Sequence, residues 1–107
     1  MENTTSFLPL GSIVVLNGSV QKLIIIARGL TVKNDGKDYF FDYGAVAYPV
    51  GLSGDRMAYF NKSSVSRVLF EGYRDADDEL AVDNINRYLA NNPQLPHADP
   101  EKWNLKG

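Results

Sequence analysis

Two glycine turns punctuate the first half of the chain, and they constrain its fold more than any other feature. Asn17-Gly18 separates the β-branched run Ser12-Ile13-Val14-Val15-Leu16 from Val20–Arg28, which reads VQKLIIIAR. An Asn-Gly pair between apolar runs is the strongest short hairpin signal, because both residues tolerate the positive φ that a tight turn needs. Asn34-Asp35-Gly36 repeats the device before Tyr39-Phe40-Phe41-Asp42-Tyr43. Antiparallel strands follow from both.

The middle of VQKLIIIAR, Leu23-Ile24-Ile25-Ile26, is apolar at every position, which predicts a strand covered on both faces. Gly29 marks a bulge or bend before the short strand Leu30-Thr31-Val32. Gly44 falls inside the next strand, where it permits a bend, and Pro49, lacking an N–H, ends that strand's ladder. Arg56–Phe60 and Arg67–Tyr73 read as further strands, with one 3₁₀ turn at Asn61–Val65 between them.

The pattern changes at Asp75. Acids crowd Asp75-Ala76-Asp77-Asp78-Glu79, which favours a helix start against the positive end of its dipole, with Asp75 or Asp77 as N-cap. Val82, Ile85 and Leu89 then recur at helical spacing, with Ala81 and Tyr88 beside them, until Asn91-Asn92-Pro93. The expected architecture is mainly β with a C-terminal helix over about 76–91. A small bent antiparallel sheet, an SH3-like barrel first and a more open sheet with the helix across one face second, closes a single domain over 1–92. Residues 93–107 form a proline-containing tail, loose or pinned by Trp103.

Composition narrows the chemistry. The 107 residues include no cysteine, which excludes a disulfide framework, a thiolate zinc site and a cysteine nucleophile. With 11 basic and 13 acidic residues and no basic cluster, the chain is no phosphate-backbone binder, so no nucleic-acid partner is expected. Its longest apolar runs are about five residues, far short of the ~20 of a membrane helix. The N-terminal stretch has neither the basic nor the apolar region of a signal peptide, so a cytoplasmic protein is expected.

No motif supplies a reaction centre. His97, the only histidine, lies in the tail and is expected to be exposed and inert. Asp75-Ala76-Asp77 opens like a calcium loop, but the sixth position is Leu80 and the twelfth Asn86, where glycine and glutamate are required. Asp42 and Glu71 make a two-carboxylate site only if they face each other across a cleft. The expectation is therefore a non-enzyme, with no cofactor and no metal.

Aromatic residues are the remaining signal. Two readings stand side by side: one set of rings fills the core while another packs under the helix, or an exposed face binds a protein partner. If Phe40 is core, alternation turns Tyr39 and Phe41 outward, with Tyr43 on their side. The candidate partner-binding face is Tyr39, Phe41, Tyr43, Tyr48, Tyr59 and Tyr73.

Several of these segments carry a resemblance in their order along the chain. They are Phe7–Leu16, Lys22–Arg28, Phe41-Asp42-Tyr43 with Tyr48-Pro49 and Gly51, Phe60-Asn61, and Val68–Tyr73. Together they resemble the DUF4176 family, small Gram-positive bacterial proteins whose genes tend to lie beside type VII secretion toxins of the LXG kind. The resemblance covers roughly Phe7 to Leu89. It implies a cytoplasmic accessory protein, a chaperone or targeting partner that binds a toxin before export, and it supplies no catalytic residues. An immunity protein that neutralises a toxin domain is the alternative it leaves open.

Overall fold

In the computed structural model, residues 7–98 are described. Five strands form one antiparallel sheet among them: β1 (Ile13–Leu16), β2 (Lys22–Asn34), β3 (Lys37–Ala47), β4 (Ala58–Phe60) and β5 (Val65–Phe70). A 3₁₀ turn, Lys62–Ser64, precedes β5, and helix α1 spans Ala76–Asn91. The strand order is β4-β3-β2-β1-β5, so β4 and β5 are opposite edges and the sheet is open. The SH3-like barrel is thus corrected to the more open arrangement: these strands do not close on one another.

The two turns behave differently. Asp35 and Gly36, at φ 55° and 78°, connect β2 to β3 directly, with Asn34 paired to Lys37. That is the tight hairpin predicted. The Asn17-Gly18 connection is longer, because β2 begins only at Lys22, and Asn17 is tied instead to the 3₁₀ turn: its backbone N–H donates to Ser64 O and its side-chain amide to Ser63 O. β2 also continues through Gly29 as one strand of 13 residues rather than two.

Alternation fails midway along β3, and the strand beside it is irregular. The β2–β3 ladder slips between Ile25 and Ala27, leaving Ile26 as an extra residue. Gly29, at φ +63°, then sits under the Ile85 side chain of α1, where any Cβ would crowd it. Opposite this kink, Phe40 and Tyr43 join one core cluster although they are three residues apart, whereas strict alternation would part them.

Val14, Leu23, Ile25, Ala45 and Phe60 complete that cluster with Phe7, and Val82 of α1 closes it, Ile85 and Leu89 packing beside it. The helical stripe is as expected, and Asp75 is the N-cap, accepting from Asp78 N–H at 3.1 Å. At Gly44 the structure shows a packing role. Leu30 Cδ1 and Met57 Cε lie 2.8 and 2.9 Å from where its Cβ would be, so glycine makes room for their packing.

A buried ion pair locks the helix start to the sheet. Arg28 Nη1 lies 2.7 Å from Asp78 Oδ1, both side chains under 10% exposed, and Arg74 Nη1 holds Asp78 Oδ2 at 3.0 Å. The same arginines donate to the carbonyls of Leu8 and Phe7, pinning the segment before β1. Removing one partner of such a pair would leave an uncompensated buried charge, so the pair enforces this docking more than it adds net stability.

Candidate functional site

The six aromatics proposed as one face are dispersed. Phe41 is fully buried and stacks on the half-buried Tyr59 with ring centroids 5.3 Å apart. Tyr59 pairs with Gly44, so this stack lies on the face of the sheet opposite Tyr43, which pairs with Phe60. Tyr43 is 2% exposed, held between Phe7 and Phe60, and its hydroxyl accepts from Leu8 N–H at 2.9 Å. Burial raises its pKa, an effect partly offset by that hydrogen bond. Tyr39 is half-buried. Tyr48 follows the end of β3, with Lys22 Nζ 5.9 Å above its ring, and Tyr73 lies near the far edge between β5 and α1.

A single face made of Tyr39, Phe41, Tyr43, Tyr48, Tyr59 and Tyr73 is therefore corrected. The reason is the position of β3, flanked by β2 and β4 and covered on both sides, so that neither parity of its residues faces water. Only Tyr48 and Tyr73 of the six are exposed.

The structure also assembles a polar cluster that the sequence did not join. Asp42, buried on β3, accepts from Lys62 N–H at 2.8 Å through Oδ2, and its Oδ1 lies 3.3 Å from His97 Nε2. Buried Asn61 accepts from Asp42 N–H with its side-chain oxygen and donates from its side-chain nitrogen to Ala98 O. Phe40 N–H donates to Pro96 O and Ala98 N–H to Phe40 O, so Pro96–Ala98 adds a short parallel bridge to the edge of β3 beyond β4.

His97 is accordingly not a free tail residue. Its ring meets Phe40 edge-on at 4.9 Å and is half-exposed. Both carboxylate oxygens of Asp42 and both ends of the Asn61 amide have partners within the chain, which makes this a clasp for the C-terminal segment. Lys62 places its ammonium 4.0 Å over the Phe7 ring, and burial lowers its pKa against the opposing pull of Asp42. Glu71 is elsewhere: it follows β5, exposed and paired with Arg74 at 3.1 Å, with β2 and β1 between it and β3. Asp42 and Glu71 thus form no two-carboxylate site. Trp103 lies outside the described residues.

Exposure concentrates at the opposite edge. Five of the six residues of β5 are exposed, including Val68, Leu69 and Phe70 in succession. Beyond the end of β5 the chain passes the Leu10 carbonyl so closely at Gly72 that a Cβ there would run into it, and Leu10 and Tyr73 are exposed as well. A surface cleft of about 370 Å³ is lined by Leu10, Tyr73 and Ala81 together with Arg28, Asp75, Asp77 and Asp78. In sequence, this edge was visible only as an ordinary strand; its place at the end of the strand order is what exposes it.

A family model described as "Domain of unknown function (DUF4176)" matches residues 7–80. The chain belongs to the DUF4176 family. The match takes in the sheet, the Arg28–Asp78 lock and the start of α1, and it ends before Pro96–Ala98, so the clasp's tail half lies beyond it. No curated protein and no solved structure matches the chain.

Proposed function

We propose that this DUF4176 protein is a non-enzymatic, cytoplasmic protein-binding module of type VII secretion, a chaperone or targeting partner of an LXG-type toxin. The observation that carries the binding role is the uncovered apolar run Val68-Leu69-Phe70 with Tyr73 and Leu10 close by. By the register with β1, Val68 and Phe70 face opposite sides of this edge, so apolar side chains are left in water on both faces of it, and apolar surface concentrated at one place marks interaction sites more often than single scattered residues do. The secretion context comes from the family resemblance, and the partition of Asp42 and Glu71 to distant strands fits a protein without a carboxylate reaction centre.

Co-expression with an LXG-type toxin of the same locus tests this. The toxin is expected to co-purify with the chain, and deletion of the chain is expected to reduce toxin export. Absence of association together with undiminished export would refute the reading. Protection of recipient cells without any effect on export would assign the chain to immunity instead.

A further inference from the structure

A second site lies at the opposite edge of the sheet from β5, and nothing in it rests on the binding role proposed above. β3 is 11 residues long, yet β4 pairs only with Tyr43, Gly44 and Ala45. Phe40 and Asp42 turn their N–H groups to this outer edge, and since backbone groups alternate sides along a strand, Asp38 is the next residue to face outward. The side chain of Asn61 stands where a neighbouring strand would be: Oδ1 accepts from Asp42 N–H at 2.9 Å and Nδ2 donates to Ala98 O at 2.8 Å. Beside it, Phe40 N–H donates to Pro96 O and Ala98 N–H to Phe40 O, both at 2.8 Å and in parallel sense.

These contacts read side chains as well as backbone. His97 Nε2 lies 3.3 Å from Asp42 Oδ1, and a carboxylate oxygen only accepts, so this position calls for a donor. The other Asp42 oxygen is held by Lys62 N–H, so the domain itself positions the carboxylate. Ala98 is buried, which limits the following position to a small side chain. The grip on the segment is nevertheless slight: from Pro93 to His97 every residue but the half-buried Leu95 is exposed. A segment with so little apolar burial opens locally at far lower cost than the sheet that holds it. Phe40 N–H and O then turn to water, which replaces the lost bonds.

We propose that Phe40, Asp42 and Asn61 form a slot for an extended segment of a partner polypeptide, running parallel to β3 and carrying a histidine followed by a small residue, and that Pro96–Ala98 is its detachable resident. Strand addition of this kind takes affinity from main-chain bonds and specificity from alternate side chains. The chain's own segment fills the slot incompletely. Leu95 N–H bonds Asn92 O in the turn after α1, so the chain reaches the edge only at Pro96. Asp38 is exposed, lies across from Lys33 of β2, and has no described strand on its outer side. A partner segment that begins earlier makes a further rung there, beside the exposed Lys37. A second copy is the poorer occupant, because its tail offers the same single rung and cannot match the effective concentration of a segment tethered to its own chain.

The test uses the full chain as wild type, as Ala98→Arg, which displaces the resident by size, and as Ala98→Arg/Asp42→Asn. Two fluorescent peptides of alternating valine and threonine, one ending in Pro-His-Ala and the other in Pro-Glu-Ala, serve as probes. The histidine peptide is expected to bind Ala98→Arg at least about tenfold more tightly than it binds wild type, and at least about tenfold more tightly than the glutamate peptide does. Asp42→Asn is expected to narrow that preference to about threefold or less. A second measurement needs no variant. In wild type the Ala98 amide is expected to exchange with deuterium at least about a hundredfold faster than the Ile25 amide, which donates to Ser12 O inside the sheet. Exchange of both amides at one rate would overturn the proposal by making the segment part of the cooperative core, and so would an Ala98→Arg chain that circular dichroism shows to be unfolded. Failure of folded Ala98→Arg to bind either peptide, equal affinity for the two, or a preference indifferent to Asp42→Asn would overturn it as well. Wild-type dimers that Ala98→Arg abolishes would give the slot to a second copy, with the same result.

Discussion

β3 and β5 are written in much the same alphabet, and the molecule treats them in opposite ways. β3 carries Tyr39-Phe40-Phe41 and then Tyr43, and from Phe40 to Val46 every residue is buried. β5 carries Val68-Leu69-Phe70, and all three are exposed. The difference is position in the sheet. β3 lies between β2 and β4, with the core cluster on one face and the Phe41–Tyr59 stack on the other, while β5 has β1 on one side only. Aromatic content therefore identifies strands, whereas strand order decides which aromatics are free to meet a partner.

The sharpest way to break this comparison is to truncate the buried side of it. Phe41→Ala removes a ring with 0% exposure that stacks on Tyr59 and sits across the ladder from Leu30. Loss of about 3–5 kcal/mol of unfolding free energy is expected, the range for a phenylalanine removed from a core. Urea denaturation measures it directly. A cost below about 1 kcal/mol would mean that the outer face of β3 is loosely covered and that Phe41 belongs with the surface residues after all.

How far these regions were legible in sequence follows from the range of the forces involved. Local signals read well. Asp35-Gly36 requires positive φ at both residues, acids cluster at the start of α1, and the Val82–Ile85–Leu89 stripe is a matter of spacing. Contacts between distant segments did not read. Alternation turned Phe41 outward once Phe40 was taken as core, because nothing local shows the slip at Ile26 or the Tyr59 ring that covers the second face of β3, although Gly29 did signal a bulge or bend. His97 looked inert because its proline-rich surroundings suggest a loose tail, yet backbone pairing of Pro96 and Ala98 with Phe40 sets its ring against Asp42. The exposed edge was the least legible, since an edge is a property of strand order. Arg28 was the one overlooked clue within reach, a lone cation closing an apolar strand and so in need of a buried partner such as Asp78.

A finer test turns on Tyr43, the polar member of the buried side. Its folded pKa is raised above the ordinary 10.0 chiefly by burial, so the native state keeps a proton that the unfolded chain releases. The contribution is complete below pH 10.0 and is lost as pH rises through the folded value. Lys62 has the opposite sign: its folded pKa lies below 10.5, so its penalty is relieved as pH rises through that lowered value. Tyr43→Phe separates the two. It should cost about 1–3 kcal/mol near neutral pH, because Leu8 N–H loses its acceptor. The variant should also lose the downward turn of stability above pH 10.0 that the parent shows in chemical denaturation. An alkaline limb identical in both proteins would show that Tyr43 is not sealed in the core.

The smallest expected effect is the most telling for β5. Phe70→Ser exchanges a 59%-exposed ring for a small polar group at a position where β1 is the only neighbouring strand. If the fold does not rely on that ring, stability should change by no more than about 0.5 kcal/mol, the usual range for surface substitutions. The same denaturation experiment that exposes the cost of Phe41→Ala should thus find almost none here, although both changes delete a phenylalanine from a strand. A loss above about 2 kcal/mol would show that Phe70 packs against the chain itself, and β5 would then belong with the protected part of the sheet. A change near zero means that folding does not account for an exposed phenylalanine beside Leu69 and Val68, which is the outcome the proposed binding role requires of an edge strand left open by its place in the sheet.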